Sequence, residues 1–523
     1  MRRGLAAAVA LALLAALSVP SDSALAERRD ERPVIKGKGD SGELGKEIDS
    51  LFDDVFGGEE TEPVLTRYEP SGHDYSQIDA ERHRSLGIFR STAYGLIGEP
   101  ALNAYVNAVL EKIVAQSPEG PIPAQAYIVA DSSFGATAAP DGAIFLNLGL
   151  IRSLENEDEL AFILAHELSH IILQHNDSDW YVNAQRRALV GMQLARGALT
   201  KVQELVGTTS EQPRELQVAI IAGTVLYEVS DVAVAPFFTR EEEDEADILG
   251  FDLMVAAGYN MGAANSLLAK MDAWEKLQEK NRPVVSEEER EQEFKNAMAD
   301  KGLSGAIEAL VSFLGDTYQD AKAELKTEHY PAAERSVTVE NYMLRFYLKD
   351  VPPPASDLAW NGKNAEAKTI NALFANYEAA KTAYKALADG DMKLAESNAR
   401  KAVGDVTKHD AYPRLAFYAV RKKQGESGLA RRNLELARES SEPSLMLFKT
   451  LIDDAIERRE WKEAVSLVET ARRELADTPH LLPYRIELYP RVGREKETPS
   501  LVIECTADYP DLAERCQTAA NES

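Results

Sequence analysis

Apolar positions recur at helical spacing from Gln77 to about Gln116, as in ALNAYVNAVLEKIV, and the pattern stops ahead of Pro118. One or two helices therefore open the folded part. Two short runs then take on strand character, AYIVA and AIFLNLGLI, separated by a Ser-, Gly- and Ala-rich connection that ends in the turn residues Pro140, Asp141 and Gly142. Helix returns in SLENEDELAFILAHELSHIILQH, where Asn156 and Glu159 make a capping-box signal. This helix should begin near Glu157 and run past His170. A second one is predicted where FFTREEEDEADILGFDLMVAAGYN passes from an acidic stretch into an apolar-periodic one.

Further along, Lys276 to Leu325 is very polar and then amphipathic, the pattern of a lid or of a passive surface excursion. Val351-Pro352-Pro353-Pro354 marks a domain boundary, and beyond it the chain is almost wholly helical in pattern. Small residues there recur in two series in phase: Ala395, Ala430, Ala464 and Thr498, and Ala402, Ala437, Ala471 and Cys505, each spaced by 35, 34 and 34 positions. A 34-residue helix-turn-helix period is the mark of tetratricopeptide (TPR) repeats, in which small residues sit where paired helices pack closely.

The beginning of the chain has a different character. Two arginines, an apolar run from about Leu5 to Val19, and Ala24-Leu25-Ala26 before Glu27 have the layout of a cleavable secretory signal peptide over residues 1–26, with an uncleaved anchor as the alternative. No cysteine lies near the cleavage site, so a lipoprotein anchor is not expected. Residues 27–75, rich in Gly, Asp and Glu, read as a flexible acidic leader. After signal removal the protein is expected to be soluble.

With 523 residues and 45% hydrophobic positions, the chain can build two or three ordinary cores. Its 86 acidic residues against 58 basic ones give a net charge of −28, which repels nucleic acid over most of the surface and excludes that partner class. The two cysteines, Cys505 and Cys516, are placed to form a disulfide clasping the last helices of an exported chain.

The predicted helix after Asn156 carries His166-Glu167-Leu168-Ser169-His170. Residues four apart lie about 40° apart around a helix axis, so both imidazoles can reach one metal ion, with Glu167 beside it as general base. That pattern points to zinc hydrolysis, for which a third protein ligand is needed. His175 lies nine positions from His166, about 180° around an ideal helix, and reads as structural. A metzincin would need Gly at position 173 and His at position 176, but these hold Leu173 and Asn176. Downstream, Glu243 and Asp247 are four apart and share a helix face, so one could bind zinc while the other holds a ligand imidazole from behind. Glu242 and Glu245 stay open as alternatives if the register differs.

HELSH followed by Glu243-Asp244-Glu245-Ala246-Asp247 resembles the zinc-site pair of the gluzincin family that includes the CAAX prenyl proteases and BepA-like periplasmic peptidases. The resemblance implies Glu243 as third ligand and Asp247 as the residue that orients a ligand histidine. GATAAPDGAIFLNLGLI is similar to the family's edge-strand region, where a substrate backbone would pair as an extra strand. His329-Tyr330-Pro331-Ala332-Ala333-Glu334-Arg335 resembles the family's H-P-x-x-x-x-R motif, with the His-to-Arg spacing kept and Tyr330 inserted. By that resemblance His329 stabilises an oxyanion or occupies the zinc in a latent state, and Arg335 helps to position it.

The resulting expectation is a mainly α protein: an α+β zincin-like peptidase domain with a small sheet over residues 76–350, then an α-helical TPR solenoid over 355–523. One zinc ion per subunit would serve a metalloendopeptidase located in the periplasm. It would act on misfolded or misassembled outer-membrane and other envelope proteins, with the TPR part recruiting clients or docking to the outer-membrane assembly machinery. The alternative is a TPR chaperone or assembly factor whose zinc site is latent.

Overall fold

The computed structural model describes residues 62–175 except position 93, 238–280 and 331–522, with isolated positions between them such as Trp180 and Gly223. The expected signal peptide, most of the acidic leader, most of the candidate lid, and His329 lie outside the described residues. Among the described residues no helix is long and apolar enough to cross a membrane.

The first half is built from α1 (Arg82–Arg90), β1 (Leu96–Ile97), α2 (Pro100–Val114), β2 (Gln125–Val129), β3 (Ala136–Ala138), β4 (Ala143–Asn147), α3 (Leu148–Ser153), α4 (Glu157–Ile172), α5 (Arg240–Ala256), α6 (Gly262–Lys280) and α7 (Ala332–Phe346). The four strands form one mixed sheet in the order β1-β2-β4-β3, parallel between β2 and β4 and antiparallel elsewhere. AIFLNLGLI is not one strand. It divides at Asn147, where β4 ends and α3 begins, because an unbroken apolar run has no period to separate a buried strand from a buried helix.

Helix α4 starts where the sequence places it, with the Asn156 side chain accepting from the Glu159 amide at 2.9 Å. The box is not reciprocal. Glu159 instead accepts from the Glu155 amide and pairs with Lys270 of α6 at 2.8 Å, so its carboxylate ties two helices rather than capping one. Helix α5 has the complete box, between Thr239 and Glu242. Helix α4 is buried along nearly its whole length, α5 is buried through its middle from Glu243 to Met254 with Glu245 half-buried, and the two pack on each other.

The last part of the expected leader, from Glu62 to Tyr75, is ordered against the core. Val64 is fully buried, its amide donates to the Tyr342 hydroxyl at 2.7 Å, and the Leu65 amide donates to Asp252 at 2.9 Å. The acidic composition of the preceding stretch hides four anchors, Val64, Leu65, Tyr68 and Tyr75, whose apolar surface outweighs it locally.

After the proline run come α8 (Ala365–Asp389), α9 (Met392–Ala402), α10 (Ala411–Lys423), α11 (Ser427–Ala437), α12 (Leu445–Glu457), α13 (Trp461–Glu474), α14 (Leu482–Leu488), α15 (Thr498–Asp508) and α16 (Ala513–Glu522), a solenoid-like run of paired helices. Ala395, Ala430 and Ala464 each hold the fourth position of α9, α11 and α13, and all three are buried, as are Ala402, Ala437 and Ala471. The fourth member departs from the series. Thr498 opens α15 instead of lying one turn in, and Leu501 takes the buried place. Cys505 and Cys516 form a disulfide between α15 and α16.

The proline segment does not separate two independent cores. The Asp158 carboxylate accepts from the Ser356 amide, the Glu157 amide donates to the Ser356 carbonyl, and one apolar cluster runs from Val64 through the sheet and α4 into α8–α13. Helix α1 also meets the repeats, with Arg90 paired to Glu442 at 3.0 Å.

Candidate metal centre

Helices α4 and α5 cross with their functional faces together. His166 and His170, one turn apart on α4, bring their Nε2 atoms to 3.1 Å, and Glu243 Oε2 of α5 lies 3.6 Å from His166 Nε2. One ligand atom from each of His166, His170 and Glu243 falls within 4.8 Å of the others, and all three residues are buried. Gly250, two turns along α5 from Glu243, allows this approach: a Cβ there would stand 2.8 Å from the His166 backbone nitrogen.

The neighbouring acids separate by role. Asp247 Oδ1 lies 2.9 Å from His166 Nδ1, fixing that ring from behind and leaving Nε2 its lone pair. Glu242 is used in the cap of α5, and Glu245 points to His175 at 3.1 Å, so Glu243 is the carboxylate presented to the two histidines. Arg335 of α7 enters from the other side. Its Nε and Nη2 donate to the two Asp247 oxygens at 2.8 and 2.7 Å, and its Nη1 lies 2.9 Å from Glu243. The residue that the sequence associated with His329 thus neutralises the two acids of α5.

Electrostatics follow from burial and these partners. Burial pushes Asp247 up, but Arg335 and His166 outweigh it and hold the carboxyl at about 2. Burial pulls His166 down, and the hydrogen bond and charge of Asp247 raise it above its ordinary value. Burial, then the adjacent His166, His175 and Arg335, keep His170 well below its ordinary value and therefore neutral. For Glu167 burial dominates and lifts the carboxyl to about 7, with His166, Arg335 and the Ala138 amide of β3 opposing. Its Oε2 is buried without a hydrogen-bond partner.

Two contacts have no signal in the helical pattern. His175 stays outside the His166–His170–Glu243 cluster, but its Nδ1 lies 2.9 Å from His170 Nδ1 rather than 180° around the helix, because α4 stops at Ile172 and the chain doubles back through Gln174 at φ 56°. Phe238 stacks on the His170 ring with centroids 3.7 Å apart. A chain-reversing residue other than glycine at position 174 left the turn invisible in the sequence.

Two histidines and a carboxylate, with an unpartnered carboxylate oxygen on the adjoining residue, fit a divalent cation of the zinc type with an open position. Residues 100–335 match peptidase family M48. The chain is 29% identical over 177 residues to the beta-barrel assembly-enhancing protease of Yersinia pestis, covering 34% of each chain. It is 26% identical over 176 residues to the protein of that name from Escherichia coli (strain K12), again 34% of each. With the mitochondrial metalloendopeptidase OMA1 of Schizosaccharomyces pombe it shares 26% identity over 171 residues, 33% of this chain and 44% of that one. The chain therefore spans between a third and a half of the length of these relatives. Family match and ligand geometry coincide on one segment: His166, His170 and Glu243 all lie within the residues, 100–335, that are similar to peptidase family M48.

Proposed function

We propose that the protein is a zinc endopeptidase that hydrolyses peptide bonds in misfolded or misassembled exported proteins, outer-membrane proteins foremost, in the periplasm. The observation that carries this reading is the His166–His170–Glu243 cluster beside a buried Glu167 with an unpartnered oxygen. Zinc held there supplies Lewis acidity that activates water and polarises a peptide carbonyl. Glu167 takes the proton from the attacking water and passes it to the departing amine. Asp247 holds His166 in the tautomer that ligates, and Arg335 offsets the buried charge of Asp247 and Glu243. Strand β3, which is at the end of the sheet order and whose Ala138 faces Glu167, is where a substrate strand would add.

Export, supported by the signal-like first residues, and a role for His329 at the oxyanion complete the reading. The repeated helices are assigned to client or partner docking, in keeping with the 34-residue period and with the names of the bacterial relatives. The test combines metal analysis with cleavage of an unfolded outer-membrane β-barrel protein. Wild type should hold about one zinc per chain. Glu243→Gln should lose the metal, and Glu167→Gln should keep it but not cleave. Cleavage by Glu167→Gln would remove the general base from the mechanism, and a wild type without zinc would favour a repeat-scaffold chaperone.

A further inference from the structure

We propose that His175 and Glu245 are positioning residues that fix the tautomer and ring orientation of His170 as a metal ligand; the inference rests on the zinc reading above. Three side chains stand in line: Glu245 Oε2 is 3.1 Å from His175 Nε2, and His175 Nδ1 is 2.9 Å from His170 Nδ1. An ionised carboxylate only accepts, so the proton of a neutral His175 belongs on Nε2. His175 Nδ1 is then a lone pair, and the proton between the two rings belongs to His170 Nδ1. That leaves His170 Nε2, the atom facing His166 and Glu243, free to ligate. The opposite arrangement sets a lone pair of His175 against a carboxylate and puts a proton on the ligating atom. With His175 neutral, the line works in one direction.

Local structure explains why these residues meet. The end of α4 is a Schellman turn, in which the His175 amide donates to the His170 carbonyl at 3.0 Å and the Gln174 amide to that of Ile171 at 3.2 Å. This folds His175 back behind His170, where its side chain is 1% exposed. Glu245 lies two residues past Glu243, so α5 supplies a ligand with one side chain and reaches behind a ligand with another. Phe238, stacked on the His170 ring, restricts its rotation. The pair mirrors what Asp247 does for His166, with one imidazole interposed because the carboxylate is farther away.

The experiment measures zinc affinity of the full-length protein by chelator competition near neutral pH, with the d–d spectrum of the cobalt(II)-loaded protein as a second readout. His175→Phe fills the volume but cannot accept from His170, and should weaken zinc binding on the order of 10- to 100-fold and shift the cobalt bands. His175→Asn keeps an acceptor near the Nδ1 position and should retain affinity within about threefold and a wild-type spectrum. If the contact only packs, His175→Phe changes the melting temperature of the zinc-free protein and leaves affinity and spectrum alone, which overturns the proposal. Should His175→Phe not fold, Glu245→Ala carries the test, since that side chain is 28% exposed. Weakened zinc binding at an unchanged melting temperature supports the relay, and unchanged binding refutes it. A wild type that binds no zinc overturns the peptidase reading and this inference with it, whereas tight wild-type binding shared by all the variants overturns this inference alone.

Discussion

Replacing Gly250 by alanine should damage the metal site even though alanine is the better helix former. Glu243, Asp247 and Gly250 follow at i, i+4 and i+7 on α5, so all three face α4. A Cβ at position 250 would stand 2.8 Å from His166 N, 2.9 Å from His166 Cα and 3.0 Å from Ala165 C. These are backbone atoms, and no side chain can rotate away. Restoring contact to about 3.5 Å moves the helices apart by roughly half an ångström. Overpacking of this kind costs about 1–3 kcal/mol, against about 1 kcal/mol gained in helix propensity, for a net loss of up to about 2 kcal/mol. The same displacement separates Glu243 from both histidines by more than the roughly 0.2 Å that a metal site tolerates. Zinc affinity should therefore fall by about tenfold or more, about 1.4 kcal/mol. Chelator competition and thermal melting of the zinc-free protein report the two effects separately. Gly428→Ala, the same substitution in α11 where a new Cβ meets nothing within 4 Å, is the control. If Gly250→Ala melts as high as that control and binds zinc like wild type, the close approach of α4 and α5 does not set the ligand geometry.

Two further outcomes concern stability. Asp252 is buried, which pushes its carboxyl from 3.8 to about 6 against the Leu65 amide and the Tyr342 and Tyr347 hydroxyls. A raised folded-state value means that its contribution is present below about 3.8 and lost as pH climbs through about 6, so Asp252→Asn should gain on wild type by about 2 kcal/mol between about pH 4.5 and about pH 7.5. Urea midpoints at the two pH values decide it, and a gap that does not change with pH sinks the argument. The Cys505–Cys516 disulfide closes a loop of sequence separation 11, and its loss through paired serine substitutions should weaken the α15–α16 unit by about 3 kcal/mol. Limited proteolysis should then nick the C-terminal helices first, whereas identical digestion patterns would show that packing alone holds them.

What the sequence made legible depended on regular geometry. His166 and His170 were readable because their spacing and helix coincide, and α4 begins where Asn156 signals it. The third candidate ligand is not fixed by spacing, since Glu242, Glu243 and Glu245 stand within one turn; their partners separate them, a helix cap, two imidazoles and His175 respectively. His175 was misplaced because an ideal helix was extended past Ile172, and nothing in Gln174 announces a reversal. The repeat period held while helix pairs kept one length, over α9, α11 and α13, and slipped at Thr498. Burial of Val64 and Tyr75 was masked by the acidic stretch around them, because composition averages over residues whereas a core needs only a few anchors.

The charge arrangement gives the metal reading a basis independent of spacing. Asp247 is held ionised at about 2, Glu243 pairs with Arg335, and Glu167 adds a third carboxyl on the same helix crossing, while His170 is kept neutral. With all three acids ionised, one guanidinium in contact leaves two negative charges uncompensated in a buried place, which is costly. Glu167 and the nearby Asp244 are each pushed up to about 7, first by burial; His166 opposes the shift at Glu167, whereas Asp247 adds to it at Asp244. A divalent cation between His166, His170 and Glu243 would supply two positive charges where the candidate ligand atoms converge. Binding would then restore the ionised state that Glu167 needs to accept a proton, so the site that holds the ion also prepares the base.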